Sequence, residues 1–374
     1  MHERPTPPRL YRSTAFRLAF AVLAIGVAVL LGMSARRSAG ENAPADDPRI
    51  PLAVLGDSDA HSYHDEVLLS DYRLRGGEFR STTFQWTEVL GRLRSGEIDL
   101  GEWGTWGMSR TVATLLDHVG IAARAPRKQD YRYNFALSGA VCEDLLEGSE
   151  RQVERLLHLM EAAPARWERG VVVIRIGINS IGNKGDLDRY AREGLDAESQ
   201  GRIEACVGTI RRSMAMIRER FSHTVIILVG MSDDTNLPDN FEDWRDATSI
   251  RNIEHVLAWY EDRLAALAAA DPRAAFTSDR LWFKSVWGAR GEDGGSDYRE
   301  VSFGGAAAVS NTVGDHPRNV TLADGHAGTI SNALWVTGLV DLLDRQFGFA
   351  ITPISRDEIA ELADPEGVYG IRPR

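Results

Sequence analysis

Residues 171–177 read VVVIRIG. A short, β-branched apolar run stopped by glycine is the pattern of a buried strand. The same pattern recurs on both sides of it. Toward the N-terminus, residues 50–55 (IPLAVL) stop at Gly56, and toward the C-terminus, residues 224–229 (TVIILV) stop at Gly230. Two shorter runs read the same way: 133–137, followed by Ser138-Gly139, and 274–277 (AAFT). The stretches between them have helical spacing. Residues 203–221 place Ile203, Val207, Ile210, Met214 and Ile217 on one face. Residues 150–161, 253–270 and 329–347 are the other predicted helices, the last carrying Leu334, Leu339, Leu342 and Leu343. Strands alternating with helices predict an α/β fold with a mostly parallel sheet covered on both faces. Ligands of such sheets bind beyond the carboxyl ends of the strands. The residues that follow each apolar run are therefore the ones to inspect for chemistry.

Composition narrows the function classes. The chain has 374 residues, 43% hydrophobic and 26% charged, with a net charge of −11. Residues 1–44 hold six Arg and two Glu, which leaves −15 on the remainder. A body that acidic repels phosphate backbones, so nucleic acid is not an expected partner. Cys142 and Cys206 are the only cysteines. Two are too few for a disulfide framework or a cysteine-rich zinc site, and one bridge or two separate thiols both remain open.

Residues 18–33 (LAFAVLAIGVAVLLGM) contain no charge and follow Arg4, Arg9, Arg12 and Arg17. A basic stretch before an apolar one is the layout of a signal peptide or signal anchor. Residues 1–37 are read as that segment, with membrane attachment through 15–33 if it is retained. An extracytoplasmic body, periplasmic or secreted, follows from either case. Residues 38–49 read as a polar linker, 50–350 as the main domain with inserts near 70–130 and 232–320, and 351–374 as a C-terminal extension.

The strand ends carry a consistent set of groups: Gly56-Asp57-Ser58, Ser138-Gly139, Gly177-Ile178-Asn179 and, before the last helix, Asp324-Gly325-His326. Each suits a part in ester cleavage. A serine hydroxyl needs a base to become a nucleophile, and histidine is suited to that near neutral pH. The tetrahedral intermediate carries an oxyanion that preorganised donors stabilise. Gly139 offers a backbone N–H without an obstructing Cβ. Asn179 offers its side-chain amide, and Ser58 its own N–H at the start of a predicted helix. Asp324 suits the acid that holds an imidazole in the right tautomer.

In these blocks the chain resembles the SGNH (GDSL-type) hydrolases. Val54-Leu55-Gly56-Asp57-Ser58 matches the first block, Gly139 the second, Gly177-Ile178-Asn179 the third and Asp324 with His326 the last. The resemblance covers roughly residues 50–350. It implies a flavodoxin-like three-layer α/β/α domain, Ser58 as nucleophile and His326 as base. It further implies Asp324 as orienting acid, and Ser58, Gly139 and Asn179 as the oxyanion hole. It calls for no metal and no organic cofactor. Two positions depart from the pattern. The family spaces its last pair D-x-x-H, whereas here it is D-x-H with Ala323 three before His326, and Ser180 stands where G-x-N-D is usual. The reading is a serine ester hydrolase acting on a small-molecule or glycan ester, a carbohydrate acetyl ester first among them. O-acyl transfer to a glycan and non-catalytic glycan binding are the alternatives.

Neighbouring residues have plainer readings. His61, His64 and Asp65 lie just after Ser58, with His61 one turn from it, and read as pocket-rim or solvated residues rather than a metal site. Trp103 and Trp106 in GEWGTWG read as insert packing, with a sugar-stacking platform as the alternative. Asp233, Asp234, Asp239, Glu242, Asp243 and Asp246 read as a solvated loop, and His316 as a rival base. Trp282, Trp287 and the Gly-rich 288–305 read as a loop or lid.

Overall fold

The computed structural model describes residues 47–69, 74–118, 120–291 and 295–373. The signal or anchor segment and most of the linker lie outside the described residues. Among the described residues, no helix is long and apolar enough to cross a membrane.

Five parallel strands form the central sheet: β1 (Ile50–Gly56), β2 (Ile98–Asp99), β3 (Val171–Arg175), β4 (Val225–Val229) and β5 (Ala274–Thr277). Their order is β2-β1-β3-β4-β5, with Leu52 opposite Val171, Val171 opposite Val225 and Ile226 opposite Ala274. This is the flavodoxin-like order, whose switch point lies between β1 and β3. Ser58 and Asn179 follow these two strands.

Strand alternation divides the core into two layers. Ala53, Leu55, Val172, Ile174, Ile226 and Leu228 point to one face. They pack on α1 (Gln152–Met160), α2 (Lys184–Glu193), α3 (Ala197–Arg220) and α4 (Ala247–Ala269). Leu52, Val54, Val173, Val225 and Ile227 point the other way. They meet the helices Trp86–Leu93, Thr329–Phe347 and Arg356–Ala363. The three-layer α/β/α architecture follows directly. Within 232–320, helix α4 and strand β5 belong to this sandwich. Within 351–374, Ile351, Ile354, Ile359 and Ile371 are buried in it.

Three local differences from the sequence reading have physical causes. Helices α3 and α4 begin six residues earlier than their apolar spacing indicates, because Asp196 and Asp246 cap their first turns. Residues 133–137 are not a sheet strand. They line the edge of β1, where Val54 N–H donates to Tyr133 O at 3.0 Å and Phe135 N–H to Val54 O at 2.8 Å. Strand β2 pairs only with Ile50 and Pro51, so this irregular segment satisfies the groups β2 leaves open. Finally, Cys142 and Cys206 form a disulfide, Cα–Cα 5.2 Å, which ties the turn after Gly139 to α3.

Candidate active site

Ser58 sits in a hydrogen-bonded turn rather than at the start of a helix. The N–H groups of Ala60 and His61 both donate to Asp57 O, at 3.2 and 3.1 Å. The next helical bond would join Ser62 N–H to Ser58 O, but Ser62 N–H turns to Asp130 Oδ2 at 3.4 Å, and the one after it would need Asp59 O. That carbonyl already accepts Gln85 Nε2 at 2.7 Å, Trp86 Nε1 at 3.0 Å and Arg175 Nη1 at 3.0 Å. Tyr63 N–H turns instead to Glu88 Oε2. The turn presents Ser58 half-buried, and its hydroxyl has no protein partner among the described residues. Gly56 permits the approach of β3, since a Cβ there would lie 2.1 Å from Arg175 O.

Asp57 locks this turn to β3. Its carboxylate accepts Asp59 N–H at 3.1 Å and Gly177 N–H at 3.2 Å. Burial, followed by the nearby Asp59 charge, pushes its pKa up to about 8, against the opposing pull of the two N–H groups and Arg175. Asp234 and Asp279 are pushed up to about 6, also chiefly by burial. A carboxyl raised in the fold binds its proton more tightly than in the unfolded chain. The stability it contributes is complete below about pH 4 and is lost as pH rises through the folded value, here about 6 to 8. Asp57→Asn is therefore expected to flatten the fall in urea midpoint between about pH 5 and pH 8. An equally steep fall in both proteins would remove Asp57 as the cause.

The two oxyanion candidates flank the turn. Gly139 is exposed at φ +84°, a left-handed conformation that favours glycine, and its N–H has no protein acceptor among the described residues. Leu137 N–H donates to Gly56 O at 3.0 Å, which seats this loop against the end of β1. Asn179 donates one amide hydrogen from Nδ2 to Ala140 O at 3.0 Å and keeps the other. Ser58 N–H likewise has no acceptor among the described residues.

His326 and Asp324 come together despite the short D-x-H spacing. Asp324 Oδ2 lies 3.1 Å from His326 Nδ1, off the line of a well-formed hydrogen bond. Arg75 completes the group, with Nε donating to Asp324 Oδ2 at 2.9 Å and Nη2 lying 3.0 Å from His326 Nε2. A guanidinium only donates, so Nε2 presents its lone pair and Nδ1 carries the proton facing Asp324. Burial works to raise the Asp324 pKa. The contacts with His326 and Arg75 outweigh it and hold the carboxyl well below its usual range. The Tyr63 ring meets His326 edge-on at 6.3 Å, and its hydroxyl donates to Ala327 O at 2.9 Å. No hydrogen bond joins Ser58 to His326 among the described residues; Arg75 holds the Nε2 position. Nothing in the sequence marked Arg75, one of three arginines in the stretch DYRLRGGEFR.

A cavity of about 60 Å³ is lined by Asp59 on the Ser58 turn and by Gly325 and Ala327 on either side of His326, with Ser58 and His326 themselves outside its lining. Arg175 and Asp279 pair across it at 2.6 Å, and Asp234, Ser232, Trp282 and Phe283 contribute to its wall. Arg175 did leave a signal, as the one charge in the apolar run VVVIRI.

The remaining candidates have other partners. His61 Nε2 meets Asp65 at 2.9 Å and His64 Nδ1 meets Glu88 at 2.9 Å, so the two do not converge on one ligand. Among the described residues, no cluster of three or more His, Cys, Asp or Glu is arranged for a metal ion. Trp106 Nε1 donates to Asp130 O at 3.0 Å and Trp103 packs edge-on against Tyr131. Asp233 is buried, bonded to Thr235 and Asn236, and Asp246 caps α4, so the acidic stretch is only partly solvated. His316 packs edge-on against Phe79 and Tyr369. Trp287 is fully buried in the core.

No family profile and no curated protein matches the chain. Among solved structures it is similar to a Bacillus subtilis protein, at 12% identity and TM-score 0.42, covering 81% of this chain and 58% of that one. It is similar to a lipase from a goat rumen metagenome, at 14% identity and TM-score 0.33, covering 63% of this chain and 83% of that one. A provisionally described acylhydrolase from Bacteroides fragilis follows, at 11% identity and TM-score 0.35, covering 83% and 93%. At these scores the likeness carries no functional argument.

Proposed function

We propose that the chain is an extracytoplasmic serine ester hydrolase in which Ser58 forms an acyl-enzyme with His326 as base. One observation carries the reading. A serine hydroxyl with no partner among the described residues follows β1 at the switch point of a parallel sheet, the loops bearing the Gly139 N–H and the spare Asn179 amide hydrogen are bonded to the same strand end and turn, and Asp59 of that turn lines one cavity with Gly325 and Ala327, the neighbours of His326 in the Asp324–His326 pair. On substrate binding, Arg75 yields His326 Nε2 to the Ser58 hydroxyl and keeps its Nε bond to Asp324. Ser58 Oγ then attacks the ester carbonyl while Nε2 takes its proton. The oxyanion is received by the N–H groups of Ser58 and Gly139 and by Asn179 Nδ2. His326 returns the proton to the leaving alcohol. A water, deprotonated by the same nitrogen, releases the acid and regenerates Ser58. The substrate class we propose is a carbohydrate ester of a short acyl group such as acetyl. The disulfide and the basic-then-apolar N-terminus support an oxidising, extracytoplasmic location.

The test is covalent labelling of the full chain with a fluorophosphonate, beside hydrolysis of p-nitrophenyl esters of increasing acyl length. One equivalent of label on Ser58 and turnover that falls beyond short acyl groups are expected. No label at Ser58 together with no ester turnover would overturn the reading. Acyl transfer to an added sugar in place of hydrolysis would turn it to an acyltransferase.

A further inference from the structure

Outside the groups assigned above, a second histidine sits in a setting that loop packing alone does not call for. His61 is fully buried, three residues after Ser58. Its Nε2 is 2.9 Å from Asp65 Oδ2, itself fully buried. Its Nδ1 faces Ser138 twice, at 2.9 Å from Oγ and 3.2 Å from the backbone N. An N–H donor at 3.2 Å requires Nδ1 to be the acceptor, so Nε2 carries the proton and donates it to the carboxylate. The ring is neutral, and both Ser138 donors point at one lone pair.

The surroundings enforce this state. Burial and the Lys128 ammonium lower the His61 pKa, against the opposing pull of Asp65 and Asp130. Asp65 Oδ1 is occupied by the N–H groups of Val67, Leu68 and Gln129, at 2.8, 3.1 and 3.0 Å. Only Oδ2 is left for His61. The pair is rigid on its far side and grips Ser138 on its near side. The next peptide, Ser138–Gly139, carries the free N–H.

We propose that His61, oriented by Asp65, is a positioning residue for the oxyanion loop. By taking both donors of Ser138 on Nδ1, it fixes the Ser138–Gly139 peptide with the Gly139 N–H turned toward the carbonyl that Ser58 attacks. The inference rests on the esterase reading and adds to it the device that preorganises one of its donors. Preorganisation is what makes such a donor effective: it is in place before charge develops, and loss of one donor costs roughly 10²–10³ in kcat.

Two substitutions separate this role from general support of the fold. The δ atom of asparagine occupies the place of Nδ1, and the ε atom of glutamine the place of Nε2. His61→Asn keeps an acceptor for Ser138 and gives up Asp65. His61→Gln keeps a donor for Asp65 and gives up the acceptor. The glutamine protein is expected to lose about 10²-fold in kcat with KM little changed. The asparagine protein is expected to keep kcat within several-fold, although its unpaired Asp65 makes it the less stable of the two. Urea midpoints for both confirm that folded protein is compared. Wild-type kcat in the glutamine protein, or equal losses that follow stability in both, would overturn the proposal. Fluorophosphonate labelling of Ser138 in Ser58→Ala protein would overturn it too, because Nδ1 would then act as a base for a second nucleophile. The esterase reading is judged separately: if wild-type turnover survives Ser58→Ala, that reading falls whatever the His61 variants do.

Discussion

Ser58→Ala and His326→Ala are each expected to lower kcat for a short-chain ester by about 10⁴–10⁶, and the double variant is expected to fall no further than the lower single. Nucleophile and base act on one proton, so removing either abolishes the same step. The turnover that remains reflects binding and the oxyanion donors alone. Both proteins are expected to fold normally. Ser58 is half-buried with a hydroxyl that bonds to no described protein atom. His326 is 20% exposed at its side chain, and Arg75 retains its 2.9 Å bond to Asp324 when the imidazole is gone. Steady-state kinetics of the four proteins, with unfolding midpoints measured in parallel, check the expectation. Losses that multiply would mean that the two residues act in separate steps. A Ser58→Ala protein with wild-type kcat would place the nucleophile elsewhere.

The two-residue β2 left no run to read and β5 only a weaker one, but strands β1, β3 and β4 were legible because each is a short apolar run that ends at a glycine. Gly56 is the clearest case, since any Cβ there meets the Arg175 carbonyl. Ser58 and Asn179 follow the carboxyl ends of β1 and β3, where open parallel sheets gather ligands, whereas Gly139 and His326, read from strand ends as well, follow segments that the central sheet does not contain. Two kinds of feature were not legible. The first is competition for backbone groups. The predicted helix at Ser58 is displaced because Asp130 takes the Ser62 N–H and Gln85, Trp86 and Arg175 take the Asp59 carbonyl, all distant in sequence. No local propensity reports that. The second is long-range polar pairing. Arg75 meets Asp324 and His326 across about 250 residues of chain, and a loop arginine has no periodicity to betray it. His61 falls between the two kinds. Its nearness to Ser58 was visible, but its partner Ser138 lies 77 residues away, and that contact changes it from a rim residue to one that shapes the oxyanion loop.

Asp324→Asn is expected to lower kcat by about 10²-fold with little change in KM, well short of the ~10⁴ seen where a buried triad carboxylate is replaced by its amide. The direction follows from tautomers. Arg75 donates toward Nε2, and Asp324 favours the proton on Nδ1, so both groups hold His326 in the state a base requires. The replacing amide can turn its NH₂ toward Nδ1, which moves the ring proton to Nε2 and removes the lone pair that Ser58 needs. The reduced size has three causes. The Asp324 side chain is 45% exposed, so water screens its charge. Its approach to Nδ1 is off-line. Until substrate displaces it, Arg75 opposes a proton on Nε2 and so presents the ring to substrate in the working tautomer. The contacts that favour the ionised Asp324 also place its titration far below the working range, so Asp324 itself contributes no ionisation to the pH profile between about 5 and 8. A loss as large as that of His326→Ala would make Asp324 a full member of a triad despite the D-x-H spacing. An unchanged kcat would leave Ser58 and His326 as a dyad, with Arg75 alone setting the tautomer.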